Sequence, residues 1–162
     1  MSFIPDPETA PDPVTQLSAA ERAFYARQLI LPEIGMAGQL KLKAARVAVL
    51  GAGGLGAPAL LYLAGAGVGE IIIIDDDSIE LSNLHRQVIH SYARAGNSKA
   101  ESAAETMRAL NPFITVTVIR ERLTDSNALT LLTGTDAVLD GSDNFEARYA
   151  VSAAAQQLGI PH

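Results

Sequence analysis

The 162-residue sequence contains no cysteine, so it can form neither a disulfide nor a cysteine zinc site, nor can it carry a thioester. It also lacks an excess of basic residues: the net charge is −6, which argues against a general nucleic-acid binder. The three histidines, His85, His90 and His162, have no metal-ligand spacing. We therefore expect no metal cage built from them and no nucleic-acid partner.

A secretory signal is not visible either, because no apolar run precedes the first basic residue, Arg22. With the lack of cysteine, this favours a cytoplasmic protein. Residues 47–69 form a stretch of 23 residues without a charge, long enough to span a bilayer. Seven of these residues are glycine, and the pattern is more typical of a strand, a glycine turn and a helix in an α/β core. We expect no membrane partner.

The hydrophobic pattern predicts three regions along the chain. Residues 1–16 are rich in proline and acidic residues and are expected to form a disordered tail. Residues 17–45 are expected to form helices, the first of which begins at a capping box of Ser18 and Glu21. Residues 46–162 alternate between strands and helices, which predicts a doubly wound, Rossmann-like α/β domain with a mostly parallel sheet.

The individual elements of this domain follow from apolar runs and helix caps. Strands are predicted for the segments RVAVLG, EIIIIDDD, ITVTVIRE and DAVLDG. A second capping box, of Ser98 and Glu101, predicts another helix start. The final GIPH resembles the start of a further strand, so the fold is expected to be C-terminally incomplete. Helices are predicted for residues 36–45, 54–66, 98–110, 125–134 and 144–158.

The segment GAGGLG places Gly51, Gly53 and Gly56 in a G-x-G-x-x-G pattern between a predicted strand and a predicted helix. Glycine permits a tight turn and lets phosphates approach the backbone at the helix N-terminus. Asp75 ends the next strand, where its carboxylate can accept hydrogen bonds from a ribose. The pattern indicates an adenine nucleotide without separating NAD from ATP, and a turn needed only for packing is the alternative.

The polar residues that follow favour ATP. The segment LSNLHRQ places Asn83, Arg86 and Gln87 in a loop after the ribose-contacting strand, where a dehydrogenase needs no cation over the phosphates. Lys99 follows in the first turn of a helix. The N-terminus of a helix is already partly positive, so a lysine there gains from an anion bound between them. A solvated surface lysine is the alternative interpretation.

The segment LDGSDN places Asp140, Asp143 and Asn144 at the carboxyl end of the fourth strand. Asp140 as a simple strand-end residue and Asp143 as a helix cap are the alternatives. Together with Arg86 and Lys99, a carboxylate here suits Mg²⁺ shared with phosphate oxygens. The combination indicates a triphosphate that is attacked at its α-phosphate and stabilised electrostatically.

These motifs, with the segment RQLILPEIG and the lysine of GNSKAE, occur in order and resemble the adenylating domain of the MoeB/ThiF/HesA family, relatives of the ubiquitin-activating enzymes. The resemblance covers about residues 18–162. It implies ATP-dependent adenylation of the C-terminal glycine of a ubiquitin-like sulfur carrier of the MoaD or ThiS type, which ends in Gly-Gly. Pyrophosphate would be released, and the pathway would be sulfur transfer for molybdopterin or thiamin. The resemblance further implies a homodimer.

The resemblance also implies roles for individual residues. Catalytic roles fall on Arg27, Arg86, Lys99 and Asp143, of which Asp143 is the expected Mg²⁺ ligand. Arg27 matches an arginine that reaches across family dimers into the partner's active site. ATP contacts are expected from Gly51, Gly53, Gly54, Gly56, Asp75, Asp77, Ser82, Asn83, Arg86, Gln87, Lys99, Asp143 and Asn144.

Full-length family members continue with paired CxxC zinc motifs and the groove for the carrier, so zinc is expected only in such a C-terminal part. We therefore expect these 162 residues alone to bind ATP weakly and to adenylate poorly. Two other functions stay open. An NAD-dependent oxidoreductase would explain the glycine turn and Asp75, and a non-catalytic binding or dimerisation module would explain where the sequence stops.

Overall fold

The structure, a computed structural model, describes residues 16–162. The predicted disordered tail lies outside the described residues except for its last position, Gln16. Four parallel strands form one sheet in the order β3-β2-β1-β4. The strands are β1 (Arg46–Leu50), β2 (Glu70–Ile74), β3 (Thr115–Ile119) and β4 (Ala137–Asp140).

Seven α-helices surround or precede this sheet in the described part of the chain. Two short 3₁₀ turns, Leu81–Asn83 and Tyr92–Arg94, lie between β2 and the next helix. The helices are α1 (Ala19–Phe24), α2 (Ala26–Leu29), α3 (Gly35–Ala44), α4 (Gly56–Ala66), α5 (Lys99–Leu110), α6 (Ala128–Leu132) and α7 (Phe145–Leu158).

The apolar run of β2 is buried on both faces of the sheet, which is why it lacks an alternating polar pattern. Ile71 and Ile73 pack into the core that α4 and α5 cover. Ile72 and Ile74 pack into the opposite core, which α6 and α7 cover. Helices on both faces of a parallel sheet confirm the predicted doubly wound α/β fold.

The strand order places the chain reversal between β1 and β4. From β1 the chain moves outward through β2 to β3, and it then crosses to β4 on the other side of β1. In open α/β sheets, ligands bind at the carboxyl ends of the strands at such a reversal. The glycine turn after β1 and the segment LDGSDN after β4 are therefore neighbours.

Polar contacts connect the N-terminal helices to one another and to the residues around the C-terminal ends of α4 and α5. The Asn111 side chain donates to the Tyr25 hydroxyl at 2.8 Å and to the Ala64 carbonyl at 2.7 Å. Glu21, buried in α1, forms an ion pair of 2.8 Å with Lys43 of α3. The predicted capping box is present in full, since Ser18 and Glu21 exchange both hydrogen bonds.

Some boundaries differ from the sequence prediction. At Ser98 only half of the capping box is present: its hydroxyl accepts from the Glu101 amide, and no reciprocal contact is found in residues 16–162. The final residues do not form a strand, although the Pro161 carbonyl accepts a hydrogen bond from the Val138 amide of β4. Within residues 16–162, no helix is long and apolar enough to cross a bilayer.

Candidate functional site

A cleft of about 800 Å³ lies at the carboxyl ends of the four strands. It is bordered by the glycine turn after β1, the loops after β2 and β3, the start of α5 and the start of α7. Most of the residues predicted to contact ATP line it. These are Gly51, Gly53, Gly54, Asp75, Asp77, Asn83, Arg86, Gln87, Lys99, Asp143 and Asn144.

The glycine turn needs glycine at two positions for physical reasons. Gly51 has a φ of 85°, in the left-handed region that side chains disfavour. At Gly56 an added Cβ would lie 1.8 Å from the Gly51 carbonyl oxygen, which is backbone and cannot move aside. Gly56 therefore does not line the cleft, and its place in the motif is explained by close packing of α4 against the turn.

Asp75 directly follows β2 and is only 8% exposed. One carboxylate oxygen accepts from the Ala52 amide at 2.7 Å, and the other accepts from the Asp77 amide at 2.9 Å. Burial raises the pKa of Asp75, although these two hydrogen bonds oppose the shift. Each carboxylate oxygen retains a second lone pair, so the group can also accept from a ligand hydroxyl at the cleft.

Arg86 and Gln87 lie against the glycine turn. A Cβ placed on Gly54 would be 3.5 Å from the Arg86 Cδ and Nε atoms, so this side chain lies close to the backbone there. Gln87 is 3% exposed, and its Oε1 has no hydrogen-bond partner in the described residues. A buried, unpaired amide oxygen at the cleft is a polar group that a ligand donor can satisfy.

Lys99 is the first residue of α5 and is 7% exposed, so its interpretation as a solvated surface lysine is wrong. Its Nζ lies 2.7 Å from the Asp77 carboxylate, whose own side chain is largely exposed. The Lys99 amide also donates to the Asp77 carbonyl at 3.0 Å. Through these two contacts, Asp77 holds the start of α5 at the cleft and offsets the charge of Lys99.

The segment after β4 presents polar groups from the opposite side. Asn144, rather than Asp143, caps α7, because its side chain accepts from the Ala147 amide at 2.9 Å. The alternative interpretation of Asp143 as the helix cap is therefore wrong, and its exposed side chain lies at the cleft. Asp140 accepts from the Ser142 amide at 2.8 Å, which fixes the turn that carries Asp143.

Two predicted site residues besides Gly56 lie outside the cleft. Ser82 is exposed and contacts Glu80 at 3.3 Å. Arg27 is exposed on α2 and does not line the cleft. Two further cations, Arg122 and Arg148, line the cleft without having been predicted from the sequence. Arg122 follows β3 without a motif, whereas Arg148 lies one helical turn beyond the predicted segment LDGSDN.

The charges of the cleft are dominated by carboxylates. Six acidic side chains line it, against the four cations Arg86, Lys99, Arg122 and Arg148. Within residues 16–162, no group of three or more His, Asp or Glu side chains is placed to hold a metal ion alone. The acidic residues are Asp75, Asp76, Asp77, Glu80, Glu121 and Asp143.

Known proteins are similar to this chain both in sequence and in fold. The model of the ThiF family matches residues 25–162. The chain is 53% identical over 151 residues to the "Probable adenylyltransferase/sulfurtransferase MoeZ" of Mycobacterium tuberculosis, covering 93% of this chain and 38% of MoeZ. It is 47% identical over 145 residues to the "SAMP-activating enzyme E1" of Haloferax volcanii, covering 90% of this chain and 54% of that enzyme. The chain thus spans less than two thirds of either relative.

Among solved structures, the fold is similar to that of the E. coli tRNA N6-threonylcarbamoyladenosine dehydratase TcdA in complex with AMP. The TM-score is 0.85 at 31% sequence identity, and the match covers 89% of this chain and 58% of TcdA. The complex of TcdA with ATP gives a TM-score of 0.84. The shared fold is therefore one that binds adenine nucleotides in TcdA.

Proposed function

The chain belongs to the ThiF family, and from this premise we propose that it is the nucleotide-binding part of an adenylyltransferase. The enzyme transfers AMP from ATP to the C-terminal glycine carboxylate of a ubiquitin-like sulfur carrier of the MoaD or ThiS type and releases pyrophosphate. The observation that carries this proposal is the convergence of the glycine turn, Arg86, Lys99 and Asp143 on one cleft.

The residues present fit ATP. Gly53 and Gly54 expose backbone to the cleft beside Arg86, so phosphates can approach the turn closely. Lys99 supplies a second cation, which can contact a phosphate while it stays paired with the Asp77 carboxylate. Asp75, at the end of the neighbouring strand, is placed to accept from ribose hydroxyls.

The excess of carboxylates in the cleft favours the binding of Mg²⁺ together with ATP. A triphosphate adds further negative charge to a site that already has more acidic than basic side chains. Mg²⁺ in nucleotide sites is usually held by one or two carboxylates together with phosphate oxygens and water. The side chain of Asp143 fits such a ligand, and the ion would offset the charge of the phosphates there.

The chemistry requires no general base. A C-terminal carboxylic acid has a pKa of about 3.3–3.7, so the carrier arrives ionised at neutral pH. Its oxygen forms a bond to the α-phosphorus while the bond to the bridging oxygen of the β-phosphate breaks, and pyrophosphate leaves with that electron pair. Arg86 and Lys99 are then required to position the phosphates and to stabilise their charge. This accounts for a cleft without cysteine or histidine in its lining.

We further propose that the protein forms a homodimer. The sequence of α4 has no charged residue. Two large apolar side chains are exposed there, since Leu55, just before α4, is 63% exposed and Tyr62 is 80% exposed. Gln28 of α2 donates to the Gly65 carbonyl of α4 at 3.4 Å, and Arg27, its neighbour in sequence, is exposed on α2. A second copy that covers α4 would bring Arg27 close to a neighbouring subunit, as the family resemblance implies.

The test is exchange of labelled pyrophosphate into ATP, with a ubiquitin-like protein ending in Gly-Gly added or withheld. The assay is run on this chain and on the longest polypeptide that its gene encodes. Exchange that depends on the carrier would support the proposal. Absence of exchange, with NAD bound more tightly than ATP·Mg²⁺, would favour an oxidoreductase, and carrier binding without exchange would favour a non-catalytic module.

A further inference from the structure

His90 lies behind the glycine turn, outside the cleft lining, and is 8% exposed. Its Nε2 is 2.9 Å from the Ala52 carbonyl oxygen, and its Nδ1 is 3.1 Å from the Ser102 hydroxyl of α5. A carbonyl oxygen can only accept, so Nε2 must carry the proton and donate to Ala52. Nδ1 then accepts from the Ser102 hydroxyl, and this second contact fixes the tautomer and the ring orientation.

His90 is held in its neutral form by its surroundings. Burial lowers the pKa of His90, and the positive charges of Lys99 and Arg94 act in the same direction. The hydrogen bond to the Ala52 carbonyl opposes this shift. Arg94 is itself fixed by hydrogen bonds to the Ser102 carbonyl and the Thr106 hydroxyl, so the cation stays near the ring.

Both backbone polar groups of Ala52 are thus held from outside the turn. Its amide donates to Asp75 at 2.7 Å, and its carbonyl accepts from His90. In a planar trans peptide the carbonyl and the following N–H point in opposite directions. With the Ala52 carbonyl directed back to His90, the Gly53 N–H is directed forward, on the side where Gly53 lines the cleft. Within residues 16–162, no backbone carbonyl accepts a hydrogen bond from this N–H.

We propose that His90 is a positioning residue, which fixes the Ala52–Gly53 peptide so that the Gly53 N–H donates to a nucleotide phosphate. This inference rests on the proposed function, since it needs a phosphate in the cleft. A preoriented backbone donor binds a phosphate without paying the cost of reorienting the peptide. His90 acts through Ala52 and does not touch the ligand.

Two substitutions separate this role from simple packing. In His90→Gln the side-chain amide nitrogen lies near the former Nε2 and can still donate to Ala52. In His90→Asn the shorter amide reaches only the former Nδ1 position, beside Ser102. Both remove the ring, so both are expected to lower the free energy of unfolding, and urea unfolding measures how far each does so.

The decisive measurement is the affinity for ATP·Mg²⁺ and for adenosine, which has no phosphate. We expect His90→Asn to bind ATP about tenfold more weakly than His90→Gln, because His90→Asn loses the hydrogen bond to the Ala52 carbonyl that orients the Gly53 N–H. Adenosine is expected to bind the two variants equally. Equal ATP affinity in the two variants, or a parallel loss of adenosine affinity, would overturn the inference. Failure of the unaltered protein to bind ATP would instead overturn the proposed function, and this inference with it.

A measurement on the unaltered protein covers the case in which a variant does not fold. The Gly53 amide proton is followed by NMR while ATP·Mg²⁺ or adenosine is added. We expect a downfield shift with ATP and none with adenosine. A Gly53 amide that responds equally to both ligands would contradict the proposed orientation.

Discussion

Replacing Arg86 by alanine is expected to abolish most pyrophosphate exchange and to leave the fold intact. Arg86 lies in the loop after β2, is exposed and lines the cleft, so its side chain contributes little to the core. Its Cδ and Nε atoms lie 3.5 Å from the position of a Cβ on Gly54. The charge that is removed is therefore close to the backbone that phosphates approach.

The size of the effect follows from this proximity. Two unit charges about 4 Å apart at an effective dielectric constant of about 20 interact by about 4 kcal/mol, which sets an upper range. Removing one preorganised group that stabilises transition-state charge costs about 2.7–4 kcal/mol, or a factor of roughly 10² to 10³ in rate. We expect the exchange rate of Arg86→Ala to fall by such a factor, while the free energy of unfolding changes by less than about 0.5 kcal/mol.

The control is Arg120→Ala, which removes the same charge from an exposed arginine outside the cleft. Exchange and urea unfolding are measured for both variants and for the unaltered protein, with the carrier present. Arg120→Ala is expected to retain normal exchange. Exchange by Arg86→Ala at the rate of the control would show that Arg86 does not stabilise the reacting phosphates. A large loss of stability would show that Arg86 acts through the fold.

Three further predictions address the metal, the glycine turn and pH. Asp143→Asn should raise the Mg²⁺ concentration needed for half-maximal exchange, and an unaltered Mg²⁺ titration would contradict a metal role for Asp143. Gly56→Ala should destabilise the protein by about 3 kcal/mol or more in urea unfolding, because its Cβ would collide with the Gly51 carbonyl. Gly65→Ala in the same helix has open space and should stabilise by about 0.5–1 kcal/mol, so equal effects would refute the packing argument. Because the pKa of His90 is lowered on folding, the unfolded chain takes up its proton first, and stability should fall as pH drops below about 6.5. His90→Gln should reduce this acid sensitivity between pH 8 and 5, and an unchanged slope would contradict it.

Much of the cleft was predictable because its residues come from short segments with local signals. The glycine pattern between β1 and α4 and the aspartate after β2 follow from the backbone geometry of one βαβ unit. The predicted elements placed Arg86 in the loop after β2, Lys99 in the first turn of α5 and Asp143 at the carboxyl end of β4. Their joint presence at one cleft followed from the rule that ligands bind at the carboxyl ends of parallel strands.

Other features carried no local signal. Arg122 follows β3, and nothing in its neighbours distinguishes it from a surface arginine, so only the three-dimensional structure shows that it lines the cleft. Lys99 was open to interpretation as a surface lysine because burial and its pairing with Asp77 depend on how α5 docks. Arg27 stays a prediction, since its proposed role requires a second copy of the chain.

Apolar runs, helix caps and glycine spacing predict most of the elements, their alternation and the position of the glycine turn, because each of these signals acts over a few neighbouring residues. The groups that hold the glycine turn in place come instead from segments that lie far apart in the chain. The contact between His90 and Ala52 joins residues 38 positions apart, and that between His90 and Ser102 joins a loop to α5. Such pairings depend on the docking of distant segments around the sheet, and no local pattern records them.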